Sequence, residues 1–348
     1  MGGQDIRLPG LEAKWKWPRL VSPFLAEIDQ ECLDWSASFT AFDHQTQSLV
    51  HEKGKLNLLA GMCYARMTRD QVRSGCDLMH LFFMFDEYSD KSSPEEVLCQ
   101  AQAMIDPLNN PDRTRPKGEW VGGEITRQFW MRIPKTATET FRRRFWATWV
   151  DYLGGVVQQA QYRSESRILD IEDFLAVRRH TSGAPSTIAF YEMHSDIPDI
   201  IRDSPIIREL ETLAVDLIVI ANDVLSYNKE QAIGDDEHNI VTILMNQHQI
   251  SVQEAMDKTG DLADQKMNRF YTLYPQVPRH VGPVDLEVQT LVDGMAQCVS
   301  GVLHWSYESQ RYFGKRGMEI KHSRQVKLLP KVKASGLVGP IPVNDVLI

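Results

Sequence analysis

Ala214-Val215-Asp216-Leu217-Ile218-Val219-Ile220-Ala221-Asn222-Asp223-Val224-Leu225-Ser226-Tyr227-Asn228-Lys229-Glu230 is a strongly apolar helical run that ends in a periodic polar face. Asn222, Ser226 and Glu230 recur every four residues, and four residues of α-helix advance the azimuth by only about 40°, so the three share a face. Carbonyl, hydroxyl and carboxylate oxygens are hard donors suited to Mg2+. Lys229 follows Asn222 by almost two turns, which lets its ammonium approach an anion held on that face. A second run, Asp77-Leu78-Met79-His80-Leu81-Phe82-Phe83-Met84-Phe85, is too apolar for an exposed helix and leads into Asp86-Glu87-Tyr88-Ser89-Asp90. Asp86 and Asp90 repeat the four-residue spacing at a helix C-terminus, where the helix dipole disfavours carboxylates unless a cation neutralises them. Taken alone, this second cluster reads equally well as a solvated acidic helix end before Ser92-Ser93-Pro94. Together the two runs describe facing helices that cage a diphosphate through several Mg2+ ions.

Outward from these runs, the chain reads as helices over 22–42, 50–87, 94–105, 136–163, 171–180, 185–194, 205–231, 252–274 and 286–312, with few strand-like alternations. An all-α fold is expected. Residues 107–123 carry the Pro, Asn, Asp and Gly signals of a connection, and Gly234-Asp235-Asp236-Glu237-His238-Asn239 reads as a solvated polar loop. No internal repeat is found, so a single compact bundle over 1–348 is favoured over a solenoid.

The 348 residues, 43% apolar and 24% charged, are those of a folded globular chain. A net charge of −9 argues against a broad nucleic-acid surface, so cations for an anionic substrate must be supplied locally. The five cysteines lack paired spacing and read as reduced thiols rather than a disulfide framework or zinc site. The N-terminus lacks secretory-signal features, and no apolar run approaches the roughly 20 residues that span a bilayer. A cytoplasmic protein without a membrane anchor is expected, its oligomeric state left open. Glycine-rich dinucleotide, P-loop, serine-hydrolase and zincin motifs are absent from the sequence.

The two motifs, as D-[DE]-x-x-D at Asp86–Asp90 and N-D-x-x-S-x-x-K-E at Asn222–Glu230, resemble those of the class I terpene synthases, specifically the fungal sesquiterpene cyclases. The resemblance covers about 15–312 and includes the order and separation of the motifs. It implies a helical bundle around a deep pocket, three Mg2+ ions, and metal contacts from Asp86, Asn222, Ser226 and Glu230, with Glu87 and Asp90 as further metal ligands or supports. Arg178, within Val177-Arg178-Arg179-His180-Thr181-Ser182-Gly183, resembles the family's diphosphate-sensing arginine, while Arg179 is expected to face outward. Arg311-Tyr312 resembles its C-terminal Arg-Tyr pair, read here as ending the same helix as Trp305. Arginine's planar charged fork suits phosphate oxygens. Gly183-Ala184-Pro185 reads either as a break in a pocket-lining helix or as a simple inter-helix turn.

Phe82, Phe83, Phe190, Trp305 and Tyr312 are candidate pocket walls, because π faces stabilise cations without attacking them; ordinary core packing is the alternative for each. Trp15 and Trp17 suggest a mobile N-terminal segment, 1–18, that covers the site on closure, and 321–348 reads as a mobile tail. The implied reaction is Mg2+-dependent ionisation and cyclisation of farnesyl diphosphate to a sesquiterpene hydrocarbon with release of diphosphate. The nearest resemblance is to basidiomycete cyclases of humulyl-derived products. A related cyclase with another product, a chain-elongating prenyltransferase and a non-enzymatic helical lipid-binding protein are the alternatives. Asn222-Ser226-Glu230, in place of a second Asp-rich motif, argues against the prenyltransferase.

Overall fold

The computed structural model describes residues 4–165, 167 and 169–332. Among them are sixteen α-helices and one two-stranded antiparallel ribbon. The helices are α1 Leu11–Lys14, α2 Leu25–Ala37, α3 His44–Ser48, α4 Leu56–Cys63, α5 Arg69–Ser89, α6 Pro94–Asn109, α7 Gly122–Arg132 and α8 Glu139–Ser164. They continue as α9 Ile171–Thr181, α10 Ala184–Ala189, α11 Asp199–Arg202, α12 Pro205–Ile233, α13 Ile240–His248, α14 Val252–Leu273, α15 Pro283–Glu308 and α16 Gly317–Ser323. Strands β1 Asp5–Arg7 and β2 Gln325–Lys327 pair with Ile6 opposite Val326.

The helices begin where side chains satisfy their first amides. Capping boxes at Thr68 with Gln71, Ser93 with Glu96 and Ser251 with Glu254 start α5, α6 and α14, each cap contributing about 1 kcal/mol. The expected helix over 50–87 is two helices: α4 ends at Cys63, and the Thr68 capping box starts α5 in a new direction. Helices α7 and α13 were not expected. The Gly122-Gly123 pair that reads as loop opens α7, and Asn239 caps α13 by accepting from the Val241 amide at 2.9 Å. Helix α15 ends at Glu308, so Arg311 and Tyr312 lie beyond it rather than on it.

α12 packs on α15, α14, α13 and α9; α15 packs on α4, α4 on α5, and α8 on α9. Phe82 of α5 closes the ring against Trp149 and Tyr152 of α8, with centroids 5.8 and 4.9 Å apart. Gly301 permits the close approach of α15 to α4, since a Cβ there would stand 3.0 Å from the Cys63 amide nitrogen. One apolar cluster runs through all of these helices.

The chain ends that were expected to be mobile are partly packed in the structure. Residues 1–3 and 333–348 lie outside the described residues. Of the rest, Trp15 is buried, donates to the Ala296 carbonyl at 3.0 Å and stacks on Trp17 and Tyr271. The end of α16 and β2 occupy part of 321–348, with β2 held in the ribbon. No helix among the described residues is long and apolar enough to cross a membrane.

Candidate active site

A cavity of about 560 Å3 opens between α5, α8, α9, α12 and α15. Its deep part is apolar, with Leu59, Met79, Phe82, Ile218, Val219 and Trp305 among its walls. Its mouth is charged, with Asp86, Glu87 and Asp90 at the end of α5 and Asn222, Lys229 and Glu230 on α12. Arg178 comes from α9 and Arg311-Tyr312 from the turn after α15. Two runs far apart in sequence thus meet across one opening.

The polar groups are tied to one another. Arg178 donates to Asn222 Oδ1 at 3.2 Å and to Asp223 Oδ1 at 3.0 Å, while Asn222 Nδ2 donates to the Tyr312 hydroxyl at 2.8 Å. Arg311 stands 3.7 Å from Asp86 and lies over the Phe83 ring, 4.4 Å from its centroid. Trp305 packs edge to face against both Phe83 and Tyr312 at 5.9 Å, its indole N–H donating to the Gly54 carbonyl at 2.8 Å. Glu230 accepts from Asn239 Nδ2 at 2.8 Å. Arg179 faces away as expected, paired with Asp216 at 2.7 Å. Gly183 adopts φ 67° as the cap between α9 and α10, and its Cα lies so close to Phe82 that a Cβ would meet the ring at 2.9 Å. The Gly183-Ala184-Pro185 interruption is therefore a break against the cavity wall.

Two expected site residues do not line the cavity. Phe190 lies in the 3₁₀ turn Phe190–Glu192 and is fully buried among Phe129, Phe141 and Phe145, because the chain turns after α10 and sends this ring into the core behind the wall. Ser226 is buried on α12 between Asn222 and Glu230, its hydroxyl donating to the Asp223 carbonyl at 3.4 Å. Conversely, Asp235 and His238 of the loop read as solvated border the cavity, since the αL turn at Gly234 folds that loop back over the end of α12. Asp223, Tyr152 and Arg163 also border it and were not singled out. Asp223 was hidden by its position next to Asn222, a quarter-turn off the polar face. Arg163 belongs to no motif. It donates to the Ser89 carbonyl at 2.6 Å, the Ser92 carbonyl at 3.4 Å and Asp90 at 3.4 Å, which answers the unfavourable charge at the end of α5.

Electrostatics make the mouth a site short of cations. Burial pushes Glu230 up to about 7, with the charge of Asp223 adding to it against the hydrogen bonds of Ser226 and Asn239. Enclosure among the groups of the mouth raises Asp235 to about 6, helped by the Asp86 charge, although its side chain is exposed. Asp86 and Asp90 are also raised, by enclosure within the mouth and by their acidic neighbours, although both side chains remain open to the cavity and Arg311 opposes the rise at Asp86. Burial acts on Glu87 too, but Arg311 and Lys91 outweigh it and hold that carboxyl low. Burial and the Arg311 charge lower Lys229.

Acids raised together by burial and mutual repulsion fit a bound divalent cation. Among the described residues no three acidic, imidazole or thiol groups are gathered tightly enough to hold an ion by themselves. Arg178 Nε, Arg311 Nε and His238 Nε2 are buried without a hydrogen-bond partner. Arg178 and Arg311 thus offer cationic donors beside the carboxylates, the composition that suits a metal-bound polyanion rather than a metal alone.

Residues 77–269 match the family model described as terpene synthase family 2, C-terminal metal binding. The chain is 43% identical over 337 residues to a Delta(6)-protoilludene synthase of Armillaria gallica, covering 97% of each chain. It is 42% identical to a Delta(6)-protoilludene synthase of Stereum hirsutum, covering 98% of this chain and 92% of that one. Germacradien-4-ol synthase from Streptomyces citricolor shares the fold, with a TM-score of 0.73, 23% identity, and coverage of 83% of this chain and 98% of its own.

Proposed function

We propose, for a chain that belongs to the terpene synthase family and to its class I sesquiterpene synthases, that the substrate is farnesyl diphosphate and the product a humulyl-derived hydrocarbon, Delta(6)-protoilludene. The observation that carries this reading is one cavity with a carboxylate and guanidinium mouth over an apolar, aromatic interior. Such a cavity separates a departing anion from the cation it leaves behind.

Asp86, Asn222, Ser226 and Glu230 would hold the metal, with Glu87 and Asp90 beside them; three Mg2+ ions are the expected complement. When bound, Mg2+ neutralises the diphosphate and acts as a Lewis acid on its oxygens. Arg178, Lys229 and Arg311 bind the same group through charged donors. Arg178 and Arg311 each bring a buried Nε that is still without a partner, and Arg178 now spends other donors on Asn222 and Asp223. A diphosphate oxygen offers these donors a more highly charged acceptor. Ionisation breaks the allylic C–O bond, the electron pair leaving with diphosphate and the positive charge remaining on the farnesyl chain. The distal alkene then attacks the cation, and hydride shifts and loss of a proton complete the hydrocarbon. Phe82, Phe83 and Trp305 shield the cation and face it with π density. The five cysteines, all free thiols, support a cytoplasmic setting.

Incubation of the purified protein with farnesyl diphosphate and Mg2+, followed by gas chromatography and mass spectrometry, tests the reading. The expected result is a metal-dependent hydrocarbon with the spectrum of Delta(6)-protoilludene. Another cyclic hydrocarbon would reject the product assignment alone, whereas a longer prenyl diphosphate formed on adding isopentenyl diphosphate would reject cyclisation.

A further inference from the structure

The last stretch of described chain forms part of the cavity wall. After β2, Leu329 borders the cavity, as do Lys229, Glu230 and Ile233 of α12. Its backbone is gripped on both sides. The Leu329 amide donates to Asn228 Oδ1 at 2.8 Å, and Gln231 Nε2 donates to the Leu329 carbonyl at 2.9 Å. Asn228 Nδ2 donates to the Lys327 carbonyl at 3.2 Å, so both ends of that buried amide are spent on this one segment. The Val332 amide donates to the Ala232 carbonyl at 2.8 Å, and the Leu328 amide to the Gln4 carbonyl at 2.8 Å. Asn228 and Gln231 therefore act towards 327–332 as a neighbouring strand would, offering a donor and an acceptor at strand spacing.

We infer that residues 327–332 are a strap clamped along the C-terminal turns of α12, and that Leu329 is a specificity-determining residue which keeps water from the cation at the mouth of the cavity. The inference rests on the proposed cyclase reading. The position matters because Lys229 and Glu230 attract water to the place where the cation is born. If water reaches it, the water oxygen bonds to the carbon, a proton is lost, and an alcohol replaces the hydrocarbon formed by direct deprotonation. An apolar side chain beside those two charges occupies the volume a water would take. The clamp fixes that side chain at small entropic cost, since Asn228 and Gln231 stand on a helix that is already rigid.

The test compares the full-length protein with Leu329→Ser, Leu329→Ala and Asn228→Ala, incubated with farnesyl diphosphate and Mg2+ and analysed for hydrocarbons and alcohols together. Leu329 is half-buried and its backbone bonds survive either substitution, so both variants should keep the parental Tm. The ratio of hydrocarbon to alcohol is expected to fall by roughly tenfold in both, the scale of one altered wall group in a pocket. Asn228→Ala should shift the ratio the same way and speed hydrogen exchange at the Leu329 amide. An unchanged ratio in the two Leu329 variants, from a parent that makes hydrocarbon, would overturn the role of Leu329 and leave the cyclase reading intact. Fast exchange in Asn228→Ala with parental products would likewise reduce the strap to packing. A parent that makes no hydrocarbon would overturn both readings.

Discussion

Asn222 engages both ends of its side chain, its oxygen accepting from Arg178 and its nitrogen donating to Tyr312. A metal ion would need that oxygen, so binding must release Arg178 towards the diphosphate. Under the proposed function, metal and anion recognition would thereby be linked through one residue. Asn222→Ala and Asp86→Ala are expected to lower kcat by about 10²-fold or more with the protein still folded, the scale of losing one preorganised electrostatic group. Circular dichroism with steady-state turnover checks this, and near-parental kcat in either variant would remove that residue from the metal set. Arg163 has a different place, since it bonds the carbonyls that end α5 and the Asp90 carboxylate. Arg163→Ala should weaken apparent Mg2+ affinity by about tenfold or more, as loss of a support behind metal ligands does, with Arg163→Lys recovering part of it. Mg2+ titrations of initial rate at saturating substrate measure the effect. The residues of the polar face were legible from spacing alone. Arg163 was not, because its function comes from the crossing of α8 with the end of α5, which no local pattern records.

At the scale of elements, the joint between α15 and α16 is sensitive to pH. Lys321 Nζ lies 2.9 Å from His304 Nδ1, an arrangement that requires a neutral imidazole as acceptor. Burial and then the Lys321 ammonium together lower His304 to about 4 from its usual 6.5, with Arg19 in the same sense and Glu308 opposing. Between those values the unfolded chain binds a proton that the folded chain does not. Stability from this contact is therefore complete above pH 6.5 and is lost as pH falls towards 4. Thermal unfolding of wild type and His304→Gln across that window tests the sign: the variant should lose less Tm on acidification. Element boundaries were partly readable. The runs on α8, α9, α12 and α14 end within a few residues of their observed limits. The joint at 64–68 escaped the reading although Thr68-x-x-Gln71 is a local helix-start signal, because the apolar positions of α4 and α5 run on across it without a Pro or Gly break.

For the whole molecule, carboxylates and arginines from α5, α9, α12 and the turn after α15 line one cavity mouth, so under the proposed function metal and anion are expected to bind there as a unit. Mg2+ and inorganic diphosphate together should stabilise the fold by about 2.7 kcal/mol at a hundredfold excess over Kd, and each alone by much less. Differential scanning calorimetry with each ligand singly and then both measures this, and a simple sum of separate shifts would contradict the linkage. The sequence determined the helical class, the two ligand-bearing faces and the charged residues at the mouth, because helix periodicity fixes which side chains share a face. It left Phe82, Phe83 and Phe190 open alike as wall or core, and favoured Trp305 as wall only for its place before Arg311-Tyr312. Only the tertiary structure separated them, placing Trp305 on the cavity and Phe190 in the aromatic layer behind it. It also brought Arg163, Asp235, His238 and Leu329 to the opening. Which wall a side chain reaches depends on the angle between packed helices and on the return of the loops and the C-terminal strand, contacts between residues far apart in the chain that no local window contains.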